Sequence, residues 1–536
     1  MEKMAHFFSL KTSGKTWLVK LVNFLKSPAG ITLIAVLLLA SFLRLYKIAD
    51  YMTFLGDEGR DAIVAKEILE GNLTLLGPRA SAGDFFLGPV YYYMIAPFLW
   101  IFSYDPVGPA VMVALFGIAT VFLVYYVTSK LFSKGAGLIA ASLYAVSPII
   151  IAFSRSSWNP NPMPFFSLLI IYLVYLGVKK TNQKFLFISG ILLGITFQLH
   201  YIATFLAIII FFFILGGNLI IRKRKIIDLY FRQYLTILIG FLVGFSPFLA
   251  FELKHNFPNI RTILNFIFVN NFQGDRIQNL SHFEIVRDVF FRLFARLTLN
   301  FPSPIEVSIS EHLDLQILQI IVYGLAFGSI VVLFFSRRKL VVFLLSLWLL
   351  GGLFLFGFYK REIYDYYYGF LFPVPFILIG NLTASLFSIK GKIKYLGIFL
   401  GSLIFVFLFY TLVSNHPFQY PGNKQKENAE KIADFVLAQT GGKPYNFALV
   451  TVGNSDHVFR YFFEIKNHPP VVIENPQNDP ERNTVTGQLL IVCDYNCEPL
   501  GNPLWEVAGF GIAEVENSWQ VSSLKIYKLT HSKNQN

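Results

Sequence analysis

The chain has 536 residues, of which 55% are hydrophobic and only 14% are charged, and its mean hydropathy is +0.56. A water-soluble protein of this composition would not stay in solution, so the composition predicts a polytopic α-helical membrane protein. The net charge of +13 invites a nucleic-acid partner. That partner is excluded, because the Lys and Arg residues fall in short clusters between apolar runs, where such clusters act as topology signals.

Residues 1–27 are basic and contain no small-residue cleavage site. We therefore predict a cytoplasmic N-terminal leader, followed by a retained helix instead of a cleaved signal peptide.

Apolar runs long enough to span a membrane cover much of the next 390 or so residues. They lie at about 28–46, 107–131, 135–153, 162–178, 185–217, 234–251, 315–335, 340–358, 366–384 and 395–413. The run 185–217 is too long for one span and carries Gln198 and His200 in its middle. Splitting it near His200 gives about eleven transmembrane helices in a membrane domain of residues 28–414.

The stretch 88–104 is ambiguous, because it is apolar but contains Pro89 and Pro97. If it does not span, the later basic loops, including 222–225 and 336–339, fall on the same side as the basic N-terminus, as the positive-inside rule requires. We therefore predict that 88–104 lies in or dips into the outer leaflet. This choice makes 47–106 the first outer loop and 252–314 a long outer loop.

From about residue 415 the composition becomes that of a soluble protein. "KENAEKIADFVLAQTGG" predicts a helix with a Gly stop, and "NFALVTV", "GQLLIVCD" and "SSLKIYKL" predict strands. Residues 415–536 are expected to form a small extracytoplasmic α/β domain. Cys493 and Cys497 are the only cysteines, and either a disulfide or two free thiols agrees with their spacing.

The first outer loop carries "GDEGRDAIVAKEIL", in which Asp57 and Glu58 open an amphipathic helix with Arg60 and Asp61 close behind. The structural interpretation is that Asp57 is a helix N-cap. The functional one is that carboxylates held together near a low-dielectric region have raised pKa values and suit general-base catalysis.

Other polar residues are predicted on the same face of the membrane, and each has a structural alternative. Tyr92 is either an interface-belt tyrosine or a wall of the acidic site. Arg155 and Asn159 belong either to a rigid proline-rich turn or to a second wall in which Arg155 binds an anion. His200 is either a satisfied structural histidine or a contact for a phosphate.

The loop 359–369 is the richest in charge, with Lys360, Arg361, Tyr364 and Asp365 at the mouth of a span. Cations on the outer side run against the positive-inside bias, and an anionic lipid phosphate would explain them. A substrate whose leaving group is a lipid-anchored phosphate fits these cations and the acids together.

Five segments, in this order, resemble one known group of enzymes. They are "GDEGRDAIVAKEILEGN", "GPVYYYMIAPFLWIF", "SRSSWNPNPMPFF", "GITFQLHY" and "YDYYYGFLFPVPFILIG". Over roughly residues 28–385 the chain resembles the GT-C superfamily of integral-membrane glycosyltransferases, in its protein mannosyltransferase and aminoarabinose transferase-like branch (glycosyltransferase family 39 and relatives).

The resemblance implies an inverting transfer of a sugar from a polyprenyl-phosphate-linked donor, on the extracytoplasmic face of the plasma (inner) membrane. It implies that Asp57, with Glu58 beside it, is the catalytic or site-organising acid. Lys360, Arg361 and His200 would stabilise the leaving phosphate. The acceptor stays open among a protein, a glycolipid and a cell-wall polymer.

The sequence departs from that pattern at two places. Gly88 precedes Pro89 where Lys or His is common, and Asn159 and Asn161 occupy a region that often carries Asp. No cofactor is therefore assigned, and a divalent cation is left open without support. The alternative function is a polytopic transporter or a flippase for lipid-linked sugars, which would require an internal repeat and polar residues at mid-membrane.

Overall fold

The structure is a computed structural model that describes residues 22–80, 85–222, 227–268, 280–302, 312–359, 361–494 and 497–532. Most of the predicted leader, residues 1–21, lies outside the described residues.

The chain enters the membrane region through one long apolar helix and then forms three shorter ones. They are α1 (Pro28–Leu45), α2 (Ile48–Tyr51), α3 (Gly56–Leu69) and α4 (Val90–Ile101). Ser27 caps α1, because its hydroxyl accepts a hydrogen bond from the Gly30 backbone N–H at 3.2 Å. Helix α4 has 12 residues and is about 18 Å long, which is too short to cross a hydrocarbon core of about 30 Å.

Six helices follow between residues 107 and 222. They are α5 (Val107–Leu131), α6 (Lys134–Val146), α7 (Pro148–Phe153), α8 (Met163–Lys180), α9 (Gln183–Leu199) and α10 (Ala203–Arg222). The helical path breaks at His200, whose backbone is extended (φ −161°, ψ 138°). The predicted division of the 185–217 run at His200 is therefore confirmed.

The predicted outer loop 252–314 contains considerable helix. Helix α11 (Ile227–Gly244) precedes it, α12 (Ser246–Lys254) runs into it, α13 (Pro258–Phe268) and α14 (His282–Leu299) lie within it, and α15 (Leu313–Phe334) begins at its end. Helix α14 begins with a capping box, in which Ser281 and Glu284 satisfy each other's backbone N–H groups. One face of α14, with Val289 and Leu293, is buried in the membrane domain.

The last part of the membrane domain is interrupted twice. Helix α16 (Lys339–Ser346) passes through a π-helical turn (Leu347–Gly351) into α17 (Gly352–Phe356). A 3-10 helix (Asp365–Leu371) then meets α18 (Pro373–Phe387) at an angle of 54°. Helix α19 (Lys394–Ser414) ends the region.

The protein crosses the membrane several times, but the predicted number of eleven spans is not confirmed. Among the described residues, eight helices are long and apolar enough to span, or nine if the bent pair ending in α18 counts as one span. The other two predicted spans correspond to apolar helices α6 and α9, which have only 13 and 17 residues.

The C-terminal region folds into a small four-stranded sheet with helices. Its elements are α20 (Gln425–Thr440), β1 (Asn446–Val450), α21 (His457–Ile465), β2 (Gln488–Cys493), α22 (Trp505–Ala508), β3 (Ala513–Val521) and β4 (Leu524–His531). The strand order is β1-β2-β4-β3, with β1 and β2 parallel and the other pairs antiparallel. Cys493 and Cys497 are joined in a disulfide.

The predicted helix and three predicted strands of this region are confirmed. Helices α21 and α22 and strand β3 are additional elements. Gly441, in the left-handed conformation with φ of 59°, ends α20 as the Gly stop predicted.

The C-terminal domain docks onto α3 and its neighbours. The Lys426 ammonium lies 2.6 Å from an Asp105 carboxylate oxygen, and the Tyr461 hydroxyl donates a hydrogen bond to the Tyr104 carbonyl oxygen. A Cβ atom at Gly59 would lie 2.5 Å from the His457 carbonyl oxygen, so only glycine permits this approach of α21 to α3. The docking brings the loop between β1 and α21 to the start of α3.

Candidate active site

The first turn of α3 is closed by a buried carboxylate. A Glu58 carboxylate oxygen accepts a hydrogen bond of 3.0 Å from the Leu55 backbone N–H. Burial raises the pKa of Glu58 to about 7, although this hydrogen bond opposes the rise. The capping role considered for Asp57 therefore belongs to Glu58.

Arg60 lies between two further carboxylates. Its guanidinium is 2.8 Å from a carboxylate oxygen of Asp57 and 2.7 Å from one of Asp61. The Asp61 side chain is only 1% exposed, whereas that of Asp57 is 54% exposed. Burial raises the pKa of Asp61 to about 6 against the opposing effect of Arg60. Asp57 is thus the carboxylate of this cluster that a substrate can reach.

Two cavities meet at Asp57. The basic cavity, of about 520 Å³, is lined by residues that include Arg60, Arg79, Asn159, His200, Tyr201, Tyr364 and Tyr366. The polar cavity, of about 550 Å³, is lined by residues that include Thr53, Glu58, Ala152, Ser156, Asn161, Asn454 and Ser455. Asp57, Trp158 and Gly453 line both cavities. Both volumes fall in the range of small-molecule sites.

His200 enters the basic cavity as a neutral donor. Its Nδ1 atom accepts a hydrogen bond from the Ile202 backbone N–H at 3.3 Å, so the ring proton resides on Nε2. Burial lowers the pKa of His200 to about 3. Its ring stacks on Tyr201 with centroids 4.4 Å apart. A phosphate in this cavity would therefore meet an uncharged N–H group at position 200.

Arg155, which was predicted to bind an anion, lines neither cavity. Its guanidinium is turned to the end of α1, where it donates to the carbonyl oxygens of Leu43 and Tyr46 at 2.8 Å and of Lys47 at 3.1 Å. Carbonyl groups at a helix C-terminus attract a cation, because the helix leaves them without intrahelical partners. Arg155 thus acts as a C-terminal clamp on α1.

Asn159 lines the basic cavity, and Tyr92 packs against the acidic cluster. The Asn159 amide donates to the Leu199 carbonyl oxygen at 2.5 Å, which ties the proline-rich turn to the end of α9. Tyr92 is 3% exposed and lies beside Arg60 and Asp61. Because Tyr92 is buried against these two residues, it does not face the membrane interface as a belt tyrosine would.

The charged loop 359–369, which follows α17, provides fewer residues to the two cavities than the sequence predicted. Lys360 lies outside the described residues, and Arg361 is not among the residues lining either cavity. Asp365 is 2.5 Å from the Arg296 guanidinium and accepts a hydrogen bond from the Tyr368 hydroxyl. These contacts tie the Asp365 carboxylate to α14, which is inconsistent with direct substrate contact. Tyr364 does line the basic cavity.

Sequence reasoning missed two groups at the site. Arg79 was passed over in the first loop, although a cation in an outer loop is the same signal that drew attention to Arg361. The segment 453–455 gave no local signal, because its place depends on the docking of the C-terminal domain. Within the described ranges, no group of three His, Cys, Asp or Glu side chains could hold a metal ion.

Comparisons with known proteins agree with the helical architecture. Residues 87–251 match the family of dolichyl-phosphate-mannose-protein mannosyltransferases. Two relatives in Bacillus subtilis (strain 168) are the putative mannosyltransferases YycA, 28% identical over 139 residues, and YkcB, 26% identical over 113 residues. These alignments cover 25% and 21% of this chain but only 20% and 16% of the relatives. The chain therefore matches about a fifth or less of the length of each relative.

Solved structures extend the likeness to nearly the whole chain. ArnT from Cupriavidus metallidurans bound to undecaprenyl phosphate has a TM-score of 0.58 at 12% identity, covering 94% of this chain and 98% of that one. Its apo state has a TM-score of 0.56 at 12% identity, covering 96% and 98%. The apo oligosaccharyltransferase of Archaeoglobus fulgidus has a TM-score of 0.52 at 14% identity, covering 87% and 70%. At such identities the likeness shows the fold.

Proposed function

We propose that this chain is an integral-membrane glycosyltransferase of the GT-C superfamily and transfers a sugar from a polyprenyl-phosphate-linked donor to an acceptor hydroxyl, as the family match, the relatives and the shared fold support. The observation that carries the proposal is the position of Asp57, an accessible carboxylate shared by a basic and a polar cavity. A transferase needs one reactive group between two substrates, and Asp57 occupies such a position.

The basic cavity suits the donor phosphate. Arg79 supplies positive charge, and the Nε2–H of His200 supplies a neutral hydrogen bond. Preorganised donors of this kind stabilise negative charge as it develops on a leaving group. Arg60 is already paired with Asp57 and Asp61, and it orients Asp57 at the edge of the cavity. The solved structure of ArnT with undecaprenyl phosphate supports a lipid phosphate of this class.

Asp57 serves as the general base in this proposal. Its carboxylate accepts the proton of the acceptor hydroxyl while the hydroxyl oxygen attacks C1 of the sugar from the face opposite the phosphate. The bond between C1 and the phosphate oxygen breaks, the phosphate leaves with the electron pair, and the configuration at C1 inverts. Arg60 holds one oxygen of Asp57 at 2.8 Å, which fixes the carboxylate in the cavity.

The orientation of the site is part of the proposal. Basic loops at 222–225, 336–339 and 390–394 favour the cytoplasmic side for one face of the protein. The acidic helix α3 and the C-terminal domain then lie on the extracytoplasmic face of the plasma membrane.

The test is sugar transfer by the full chain in lipid nanodiscs, with undecaprenyl-phosphate-linked mannose, glucose and aminoarabinose as donor probes and release of undecaprenyl phosphate as the readout. The Asp57→Asn variant should lose about 10²- to 10⁴-fold in kcat, the usual contribution of a general base. It should bind undecaprenyl phosphate as the unchanged protein does. The Arg79→Gln variant should instead raise the donor KM.

The matched control is Glu67→Gln, because it removes a carboxylate from the exposed face of the same helix. It should transfer sugar at the normal rate. Full activity of Asp57→Asn with any of the donors would remove Asp57 from the mechanism and overturn the proposed reaction.

A further inference from the structure

The two cavities differ in charge. The basic cavity has Arg60 and Arg79 in its wall, whereas none of the described residues that line the polar cavity is Lys or Arg. The polar cavity is lined instead by hydroxyl and amide side chains around the carboxyl groups of Asp57 and Glu58. Arg60, 2.8 Å from Asp57, is already paired with Asp57 and Asp61, so no described residue lining the polar cavity offers a cation to an anionic acceptor.

Two amides in the polar cavity have unused hydrogen-bonding capacity. The buried side-chain oxygen of Asn161 has no hydrogen-bond partner among the described residues, while its nitrogen donates to the Ser156 carbonyl at 2.8 Å. The Asn454 oxygen accepts from the backbone N–H groups of Gly56 and Ser455, but its nitrogen makes no hydrogen bond with the described residues. The Asn161 oxygen has almost no accessible surface, so it holds the cavity wall and does not meet a ligand directly. Asn454 lines the cavity, and its nitrogen can donate a hydrogen bond to a ligand there.

The aromatic wall adds a flat apolar surface. Trp158 lines both cavities and packs against Tyr366 with ring centroids 4.2 Å apart. Hydroxyl and amide groups beside an aromatic face suit a molecule that has many hydroxyl groups and an apolar ring face. A sugar ring has both features. An extended peptide would bring a single hydroxyl and a backbone that needs other partners.

We propose that segment 453–455 of the C-terminal domain completes the acceptor site in the polar cavity, and that the acceptor is an uncharged carbohydrate. This inference rests on the proposed function, which it deepens. Asn454 hydrogen-bonds the acceptor sugar, and one of its hydroxyl groups reaches Asp57. The bonds that form and break are those of the proposed transfer.

The experiment measures binding of fluorescent oligosaccharides to the full chain in nanodiscs. The probes are the neutral sugars maltotriose, mannotriose and triacetylchitotriose, the anionic trigalacturonate, the cationic chitosan trimer and a hexapeptide with Ser and Thr. At least one neutral trisaccharide should bind about tenfold more tightly than each charged probe and the peptide, a difference typical of one or two well-placed contacts.

Two variants locate that binding. Asn454→Ala removes the amide from the C-terminal loop, and Ala152→Leu adds bulk to the polar cavity from an exposed position on α7. Each should weaken binding of the neutral sugar about tenfold. Ala152 does not line the basic cavity, so Ala152→Leu should also leave undecaprenyl phosphate binding unchanged. Ala152→Leu leaves the hydrogen bond between Asn454 and Gly56 intact, so it tests the cavity independently of docking. The matched control Asn517→Ala, on the exposed strand β3, should change neither the binding of the neutral sugar nor the binding of undecaprenyl phosphate.

Tighter binding of the peptide or of a charged sugar would overturn the inference, as would normal neutral-sugar binding by both variants. These outcomes are distinct from failure of the proposed function. If only the inference about the acceptor fails, Asp57→Asn still abolishes transfer. If the proposed function fails, Asp57→Asn transfers sugar normally.

Discussion

The side-chain oxygen of Asn454 accepts a hydrogen bond of 2.8 Å from the backbone N–H of Gly56, which lies 398 residues earlier in the chain. The N–H groups of a first helical turn have no partner within the helix. Helix α3 has no local side chain that caps Gly56, so the C-terminal domain supplies the partner. The position of Asp57, the next residue, therefore depends on the docked domain.

The first prediction concerns this contact. Gly56→Ala should undock the C-terminal domain, because the added Cβ atom would lie 2.1 Å from the Ser455 hydroxyl and 2.7 Å from the Ser455 backbone nitrogen. Overpacking of this kind costs about 1–3 kcal/mol. Limited trypsin digestion at Lys424 and Lys426 should become faster, and sugar transfer should fall.

The control for that prediction is Gly487→Ala, because a Cβ atom at this exposed position meets nothing within 4 Å. It should digest and transfer like the unchanged protein. Equal digestion of the two variants would show that the close contact at Gly56 does not hold the domain in place.

The second prediction concerns pH. The pKa of Glu58 rises from 4.5 to about 7 on folding, so the folded protein binds more protons than the unfolded chain in that interval. This contribution is fully present below about pH 4.5 and is lost as the pH rises through about 7, by at most about 3 kcal/mol. Glu58→Gln keeps the oxygen that accepts from Leu55 and should reduce the fall in Tm between pH 6 and pH 8.

Asp61 titrates in the same direction, with a pKa raised from 3.8 to about 6, so it contributes to the same fall and the Glu58→Gln variant isolates the share of Glu58. The exposed Glu67→Gln variant should retain the full fall in Tm. An equal slope in all three proteins, measured by scanning fluorimetry, would contradict the assignment to Glu58.

The third prediction concerns His200. His200→Phe keeps an aromatic ring against Tyr201 but loses the N–H donor, and a hydrogen bond to a charged group is worth about 1.5–3 kcal/mol. The donor KM should therefore rise about tenfold or more. Because burial lowers the pKa of His200 to about 3, the ratio of variant to unchanged KM should stay constant from pH 5.5 to pH 8. A ratio that increases toward acid would indicate an imidazolium cation instead. His200→Gln, which restores an N–H donor, should recover part of the loss.

The fourth prediction separates two arginines. Arg155→Lys should lower Tm, because one ammonium group cannot replace three guanidinium contacts to carbonyl oxygens at the end of α1. The donor KM of the folded fraction should not change. Arg79→Lys should show the opposite balance, with the donor KM affected more than Tm. A raised donor KM in Arg155→Lys at normal Tm would restore Arg155 as an anion ligand.

The fifth prediction concerns orientation. Both native cysteines are in a disulfide, so introduced cysteines can be labelled without a native free thiol. A membrane-impermeant maleimide added to intact cells should label Glu67→Cys and Asn517→Cys, whereas Arg337→Cys should react only after the membrane is opened. Labelling of positions 67 and 337 from the same side would overturn the proposed topology.

Apolar run length was sufficient to locate the membrane helices, because any span must be apolar over most of its length. It also located the break at His200, since two polar residues interrupt a run too long for one helix. It did not locate α14, whose charged face, with Arg287, Asp288 and Arg292, lowers the hydropathy of the segment. Helix α14 is held by burial of its opposite face, a property that depends on its neighbours.

The acidic cluster was similarly visible, whereas the division of roles within it was not. Asp57 and Glu58 are adjacent and chemically alike, and only the direction of each side chain makes one a buried cap and the other an accessible carboxylate. Arg155 was predicted as an anion ligand because a cation near a predicted site resembles one until its carbonyl partners are known. Asn454 could not be predicted, since no local pattern connects it with Gly56.

The separation of Gly56 and Asn454 along the chain also has a consequence for biosynthesis. Ribosomes add about 5–20 residues per second, so roughly 20–80 s pass between synthesis of the acid-bearing helix and synthesis of its partner. During that interval the nascent protein can insert its helices while the reactive centre is still unfinished. The proposed site is therefore complete only after translation has passed residue 454, and a chain terminated earlier lacks the partner of Gly56.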